Sequence, residues 1–174
     1  MQLISFILST LGLAACVTAS MLKGDEIKKN LFFIFTGNVL VGASYLFTSL
    51  GINGAVSSFI GGAQAITSYF FSAKKKPLPV WLIVVYALLF LGINLATLES
   101  AIGILAILAS LCFVGCVSAK SGKVYRIWQA LNNVLWIGYD LLTCSYGPLV
   151  THSVLLGFTL LGTWINDRKP ASKK

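Results

Sequence analysis

Seven apolar stretches alternate with short connections along this chain, and every cation falls in alternate connections. The stretches cover residues 2–21, 31–50, 52–72, 78–97, 101–119, 127–144 and 147–165. A helix rises about 1.5 Å per residue and the hydrocarbon core of a bilayer is about 30 Å thick, so each stretch is about long enough to cross. Lys and Arg occupy positions 23, 28 and 29, then 74–76, then 120, 123 and 126, then 168, 169, 173 and 174. The connections around Gly51, Glu99 and Tyr146 hold none. Cations in short loops stay on the cytoplasmic side of a membrane. Seven crossings place all 13 of them there, with the N-terminus outside and the C-terminus inside. The connections Gly51-Ile52-Asn53-Gly54 and Tyr146-Gly147-Pro148 are rich in helix breakers, as tight helical hairpins prefer. The expected fold is an all-α integral membrane protein with seven transmembrane helices.

Composition agrees. The chain is 57% hydrophobic and 10% charged, whereas a soluble domain carries about 25% charged residues. The net charge of +8 does not imply a nucleic-acid partner, because the cations sit in short runs at helix ends and form no basic face. Leu13-Ala14-Ala15-Cys16 imitates a lipoprotein cleavage box, but Met1-Gln2-Leu3-Ile4-Ser5 lacks the positive start of a signal, so the segment is expected to remain as the first helix. Cys16, Cys112, Cys116 and Cys144 have no metal-ligand spacing and read as small packing residues.

The stretches group as three, one, three. A shift of 95 residues lays Asn38-Val39-Leu40 on Asn133-Val134-Leu135, Leu46 on Leu141, Thr48 on Thr143, Ser58 on Ser153 and Gly62 on Gly157. A shift of 100 lays Cys16-Val17-Thr18-Ala19 on Cys116-Val117-Ser118-Ala119. Two three-helix units point the same way only if one further crossing separates them. The division is therefore 1–76 for the first bundle, 77–98 for a linking helix, and 99–174 for the second bundle with a basic tail. Parallel repeats of this kind can build a central site that opens alternately to either side.

This layout, with Trp128-Gln129-Ala130-Leu131-Asn132-Asn133-Val134-Leu135-Trp136, Tyr139, the 141–148 hairpin and the echo around Asn38, resembles the SWEET and PQ-loop superfamily of small transporters. It is more similar still to bacterial inner membrane proteins of the YgjV type, which implies an inner-membrane location. The Pro-Gln pair of the PQ-loop group is absent, and the first and fifth stretches contain no proline, so sugar transport is not carried over. The PnuC type of vitamin-precursor transporter has a similar layout.

Asp140 is the one acid well inside a stretch, where a charge costs roughly 2.5–3.5 kcal/mol on insertion scales. It lies as far before Tyr146 as His152 lies after it, so a hairpin brings the two to similar depth. They are candidates for proton coupling, with a structural hydrogen bond the plain alternative. Gln129, Asn133, Trp136 and Asp140 recur at helical spacing on one face. Asn38, Tyr45 and Ser49 echo them, Ser57, Gln64 and Ser68 share a face of the third stretch, and His152 and Thr159 share one on the seventh. The candidate pocket is Asn38, Tyr45, Ser57, Gln64, Gln129, Asn133, Trp136 and Thr159, suited to a small polar or aromatic solute. The same residues also serve as glue between helices. Trp81, Trp128 and Trp164 fall near the inner ends, as in an aromatic belt.

No paired carboxylates, zinc-spaced histidines or phosphate loop occur, so neither catalysis nor a cofactor or metal is expected. The expected partners are the lipid bilayer and a small solute, with no nucleic acid. A homo-oligomer is compatible but not required. The two functions consistent with the sequence are a secondary transporter, uniport or proton-coupled, and a non-transporting structural or interaction protein. The topology has a direct check. A cysteine introduced as Glu99→Cys should react with a membrane-impermeant maleimide from outside intact cells, and one protected until the cells are lysed would overturn the seven-crossing reading.

Overall fold

The structure, a computed structural model, describes residues 2–22, 26–47, 52–96, 103–142 and 146–167. Seven helices, and no strand, occur among the described residues: α1 (Gln2–Met21), α2 (Ile27–Tyr45), α3 (Ile52–Ala73), α4 (Val80–Ala96), α5 (Gly103–Val117), α6 (Gly122–Leu142) and α7 (Tyr146–Asp167). Helices α2 and α6 begin upstream of their apolar stretches and take Lys28, Lys29, Lys123 and Arg126 into their first two turns. By length and apolarity alone, Leu3–Met21 and Leu149–Asp167 suffice to cross a membrane, while Val80–Ala96 and Ile104–Val117 are apolar but shorter. Helix α6 misses such a measure because it averages around the helix, and α6 buries Arg126, Gln129, Asn132 and Asn133 on one side.

Consecutive helices pack against each other within each half, α1 on α2 on α3 and α5 on α6 on α7. The halves meet along two seams, α1 with α7 and α3 with α5, and α4 lies against α5 and α3. The 95-residue and 100-residue shifts exchange these seams, so the packing has the approximate twofold relation of the sequence repeat. The halves run parallel: the C-terminal ends of α1 and α7 touch, and those of α3 and α5 line one cavity. The N-terminal ends of α2 and α6 lie at the same end, through Ile27 and Arg126. Lys75, Lys76 and Lys120 therefore gather at one end of the bundle.

Apolarity is distributed in reverse of a soluble domain. Leu3, Phe6, Phe70, Val80, Trp81, Leu88 and Trp164 are exposed, while the interior holds Ala19, Ala65, Ala109, Ser20, Asn30, Gln64, Asn133 and Thr159. Small buried residues let helices approach where lipid supplies no hydrophobic drive. At the α1–α2 crossing, a Cβ on Gly37 would stand 2.5 Å from Cys16 Sγ and 3.1 Å from the Gly12 carbonyl. At the equivalent α5–α6 crossing, Asn132 Nδ2 donates to the Ala109 carbonyl at 2.7 Å. Helix α4 differs, since Phe90 is its buried residue. It is held by Phe90 edge-on to Phe113 (6.0 Å), Asn94 donating to Ser110 (3.2 Å), and a Tyr86–Thr67 hydroxyl pair (3.0 Å).

A buried ion pair closes the end where the cations collect. The Arg126 side chain is fully buried and the Asp167 side chain is 8% exposed. Arg126 Nε donates to Asp167 Oδ2 at 3.0 Å, Nη2 donates to Oδ1, and Nη1 donates to the Leu22 carbonyl at 2.7 Å. Asn166 Nδ2 adds a bond to the Met21 carbonyl at 3.1 Å. Those two carbonyls are among the last of α1, which the helix itself cannot pair. Residues of α6 and α7 thus cap a helix of the other half. Removing one partner of a buried pair strands the other charge, at a cost of about 3–5 kcal/mol. Asp167→Asn is expected to lower thermal stability in detergent by that order, and the double change Arg126→Met with Asp167→Leu to recover most of it. An Asp167→Asn protein as stable as the parent would show that the pair is not held in the membrane-extracted fold.

Candidate functional site

The two seams are polar. On α3, Gln64 is fully buried, and its Nε2 donates to the Val114 carbonyl of α5 (3.3 Å) and lies 3.5 Å from the Oγ of Ser118, just after α5. On α7, Thr159 is fully buried, and its Oγ1 donates to the Leu155 carbonyl (2.7 Å) and lies 3.3 Å from Ser20 Oγ on α1. Gln64 and Thr159 are equivalent under the 95-residue shift, and each carries the bond across its own seam. Gly162 makes the α1–α7 approach possible, because a Cβ there would run into the Ser20 carbonyl oxygen.

Between the seams, α6 presents a short chain of polar contacts. Cys116 Sγ donates to Gln129 Oε1 at 3.2 Å, and Gln129 Nε2 donates to Asn133 Oδ1 at 3.3 Å. Several buried polar atoms have no protein partner: Gln64 Oε1, Ser68 Oγ, Asn133 Nδ2 and both amide atoms of Asn30. A buried polar atom without a partner costs about 1–3 kcal/mol, so water or a solute is the natural complement.

The remaining candidates divide. Asn38, half-buried on α2, donates to the Ile34 carbonyl at 2.9 Å, and its Oδ1 closes on Gly61 of α3. Ser57 is half-buried on α3. Trp136 stacks on His152 with ring centres 5.5 Å apart and planes 11° from parallel, and meets Tyr139 edge-on at 5.5 Å. His152 is thus held on the face of an indole. The side chains of Tyr45 and Asp140 lie outside the described residues, as does Cys144. Of the tryptophans near the basic end, Trp81 and Trp164 are 65% and 57% exposed, while Trp128 lies over Gly115.

The polar stripe was legible from helical spacing, but the open space is elsewhere. A cavity of about 350 Å³ opens at the basic end, lined by Leu31 of α2, Ser68 and Ser72 of α3, Lys75 and Lys76 after it, and Ser118 and Lys120 of the connection after α5. Ser68, one turn beyond Gln64, was legible from its spacing as part of the polar face of the third stretch, but not as the lining of a cavity at the helix end. Arg126 was missed. Its signal was that it is the one Arg among the cations that precede the C-terminal tail.

No curated protein and no solved structure matches the chain. A family model described as a bacterial inner membrane protein, Imp-YgjV, matches residues 3–169. The outward-facing apolar surface fits that location. With nearly its whole length covered, the chain belongs to the Imp-YgjV family of bacterial inner membrane proteins.

Proposed function

We propose that the protein is a secondary transporter for a small solute, crossing the inner membrane seven times with its basic end in the cytoplasm. The two parallel three-helix units would rock about the α1–α7 and α3–α5 seams. One observation carries this reading. Polar atoms of Gln64 and Ser68 on α3 and of Asn133 on α6 are buried with no protein partner, Gln64 spans the α3–α5 seam, and Ser68 borders a cavity open at the basic end. A packed scaffold gains nothing from such atoms, whereas a translocation path uses them to replace the hydration of a passing solute. The conformation is then open toward the basic end.

Coupling to protons would fall to Asp140 and His152. Stacking on Trp136 holds the imidazole against α6, the helix that carries Asp140. A flat, vitamin-precursor-like solute would have to displace His152 to reach that indole face, which favours a small polar solute over a PnuC-like cargo.

A second reading, a non-transporting structural or interaction protein, draws on the middle of the bundle. There Ala19, Ala65, Cys116 and Tyr125 fill the space between the halves.

Uptake into proteoliposomes, screened over small solutes with and without a pH gradient, separates the two. For a transporter, Gln64→Leu and Asn133→Leu should cut uptake by about tenfold or more while stability changes by less than about 1 kcal/mol, since an apolar replacement removes an orphaned group along with a bond. Asp140→Asn should abolish the response to the gradient. If no solute enters and both Leu variants instead unfold readily, the seam is structural.

A further inference from the structure

The cavity at the basic end has a chemistry of its own. We infer that it is an oxyanion site, built to hold a phosphate-type group between the hydroxyls of Ser68, Ser72 and Ser118 and the ammonium groups of Lys75, Lys76 and Lys120. This site does not depend on whether the chain transports.

Four observations lead there. First, Ser68 is 5% exposed, borders the cavity, and its Oγ has no partner in the protein. Second, Ser118 Oγ lies at accepting distance from Gln64 Nε2, which leaves the Ser118 proton for an acceptor in the cavity. Third, three lysines border the space and no Asp or Glu is among its described lining residues. Fourth, the backbone is bent to keep one of those lysines in place. Helix α3 ends in a Schellman turn, with Lys76 N donating to the Phe71 carbonyl (2.9 Å) and Lys75 N to the Ser72 carbonyl (3.0 Å). The left-handed position of that turn, φ 54°, belongs to Lys75, where glycine is the usual residue. A side chain in that conformation costs about 1–2 kcal/mol, and an ammonium group at the cavity is a reason to keep it.

The balance of charge favours an anion. The C-terminal ends of α3 and α5 reach the cavity, and each carries about half a negative charge. The N-terminal end of α2, at Ile27, supplies about half a positive one. Three full ammonium charges outweigh that sum. Hydroxyl and ammonium donors converging on one space suit an acceptor with several oxygens. At about 350 Å³ the cavity admits a phosphate with a substituent, since a water molecule takes about 30 Å³. Two sources present that chemistry at a cytoplasmic membrane face: a free phosphate-bearing solute and the headgroup of an anionic phospholipid.

The test uses the full-length protein, with binding read as a saturable rise in unfolding temperature. One arm adds inorganic phosphate in neutral detergent, against chloride at equal ionic strength. The other compares nanodiscs of phosphatidylcholine with and without phosphatidylglycerol. Stabilisation by phosphate assigns the site to a solute, and stabilisation only in phosphatidylglycerol assigns it to a headgroup. In either case Lys120→Gln should weaken binding by about tenfold and Ser68→Ala by about threefold or more, the sizes expected for lost charged and neutral hydrogen bonds. Lys123→Gln removes an equal charge from an exposed position on α6 outside the cavity, and should leave binding unchanged. Lys120 is exposed, so its variant should fold. The inference is overturned if neither arm exceeds its control, or if Lys120→Gln and Lys123→Gln weaken binding equally, which would mean diffuse surface charge.

Discussion

A guanidinium cannot be left bare in a helical bundle that sits in lipid, and much of this molecule follows from how Arg126 is accommodated. Its fork takes both oxygens of Asp167 and the Leu22 carbonyl, and so ties the start of α6, the end of α7 and the end of α1 into one unit. An arginine so placed is a rigid spacer as well as a charge, because its planar donors fix three partners at once. The α1–α7 seam then closes by close approach: Gly162 admits the Ser20 carbonyl and Thr159 reaches Ser20. The opposite seam, α3 with α5, has no ion pair among the described residues. Among the described residues its side-chain hydrogen bonds come from Gln64, beside the Phe113 ring packed on Gly61, and it is the seam that gapes at the basic end. The two seams are thus related by sequence and unequal in their polar contacts.

Helix number and the repeat were legible in the sequence because they depend on local quantities: apolar length and a fixed offset between similar segments. The breaker-rich turns were placed too late, since Ile52-Asn53-Gly54 and Tyr146-Gly147-Pro148 form the first turns of α3 and α7. The polar stripe on α6 was legible for the same reason, and the structure buries Gln129 and Asn133 as an inward stripe requires. Other features depend on which helix stands opposite, and spacing along a chain does not report that. Arg126 looked like one more topology-setting cation until the end of α7 came to face it. Lys75 looked like the middle of a basic run, and its left-handed backbone is a property of how α3 stops. The cavity lies at helix ends, where residues from four segments converge, each unremarkable by itself.

Polar side chains within the bundle fall into two populations. Asn132, Thr159 and Asn94 each reach a neighbouring helix and complete their bonding there, as residues that join helices do. Gln64, Ser68, Asn133 and Asn30 keep atoms that no side chain or backbone group meets. The first population explains why a bundle with so little buried apolar bulk holds together. The second leaves hydrogen-bonding capacity in the interior that the protein itself does not use.

Helix α4 stands apart from both halves. It buries little besides Phe90 and shows apolar residues around most of its circumference. Two three-helix units of one chain can run parallel only if their connection returns to the end where the first began, and a single helix is the shortest regular element that does so. Because the two units belong to one chain, their residues can differ position by position. The ion pair on one seam and the lysine-lined opening on the other are differences that two identical chains related by exact symmetry could not show.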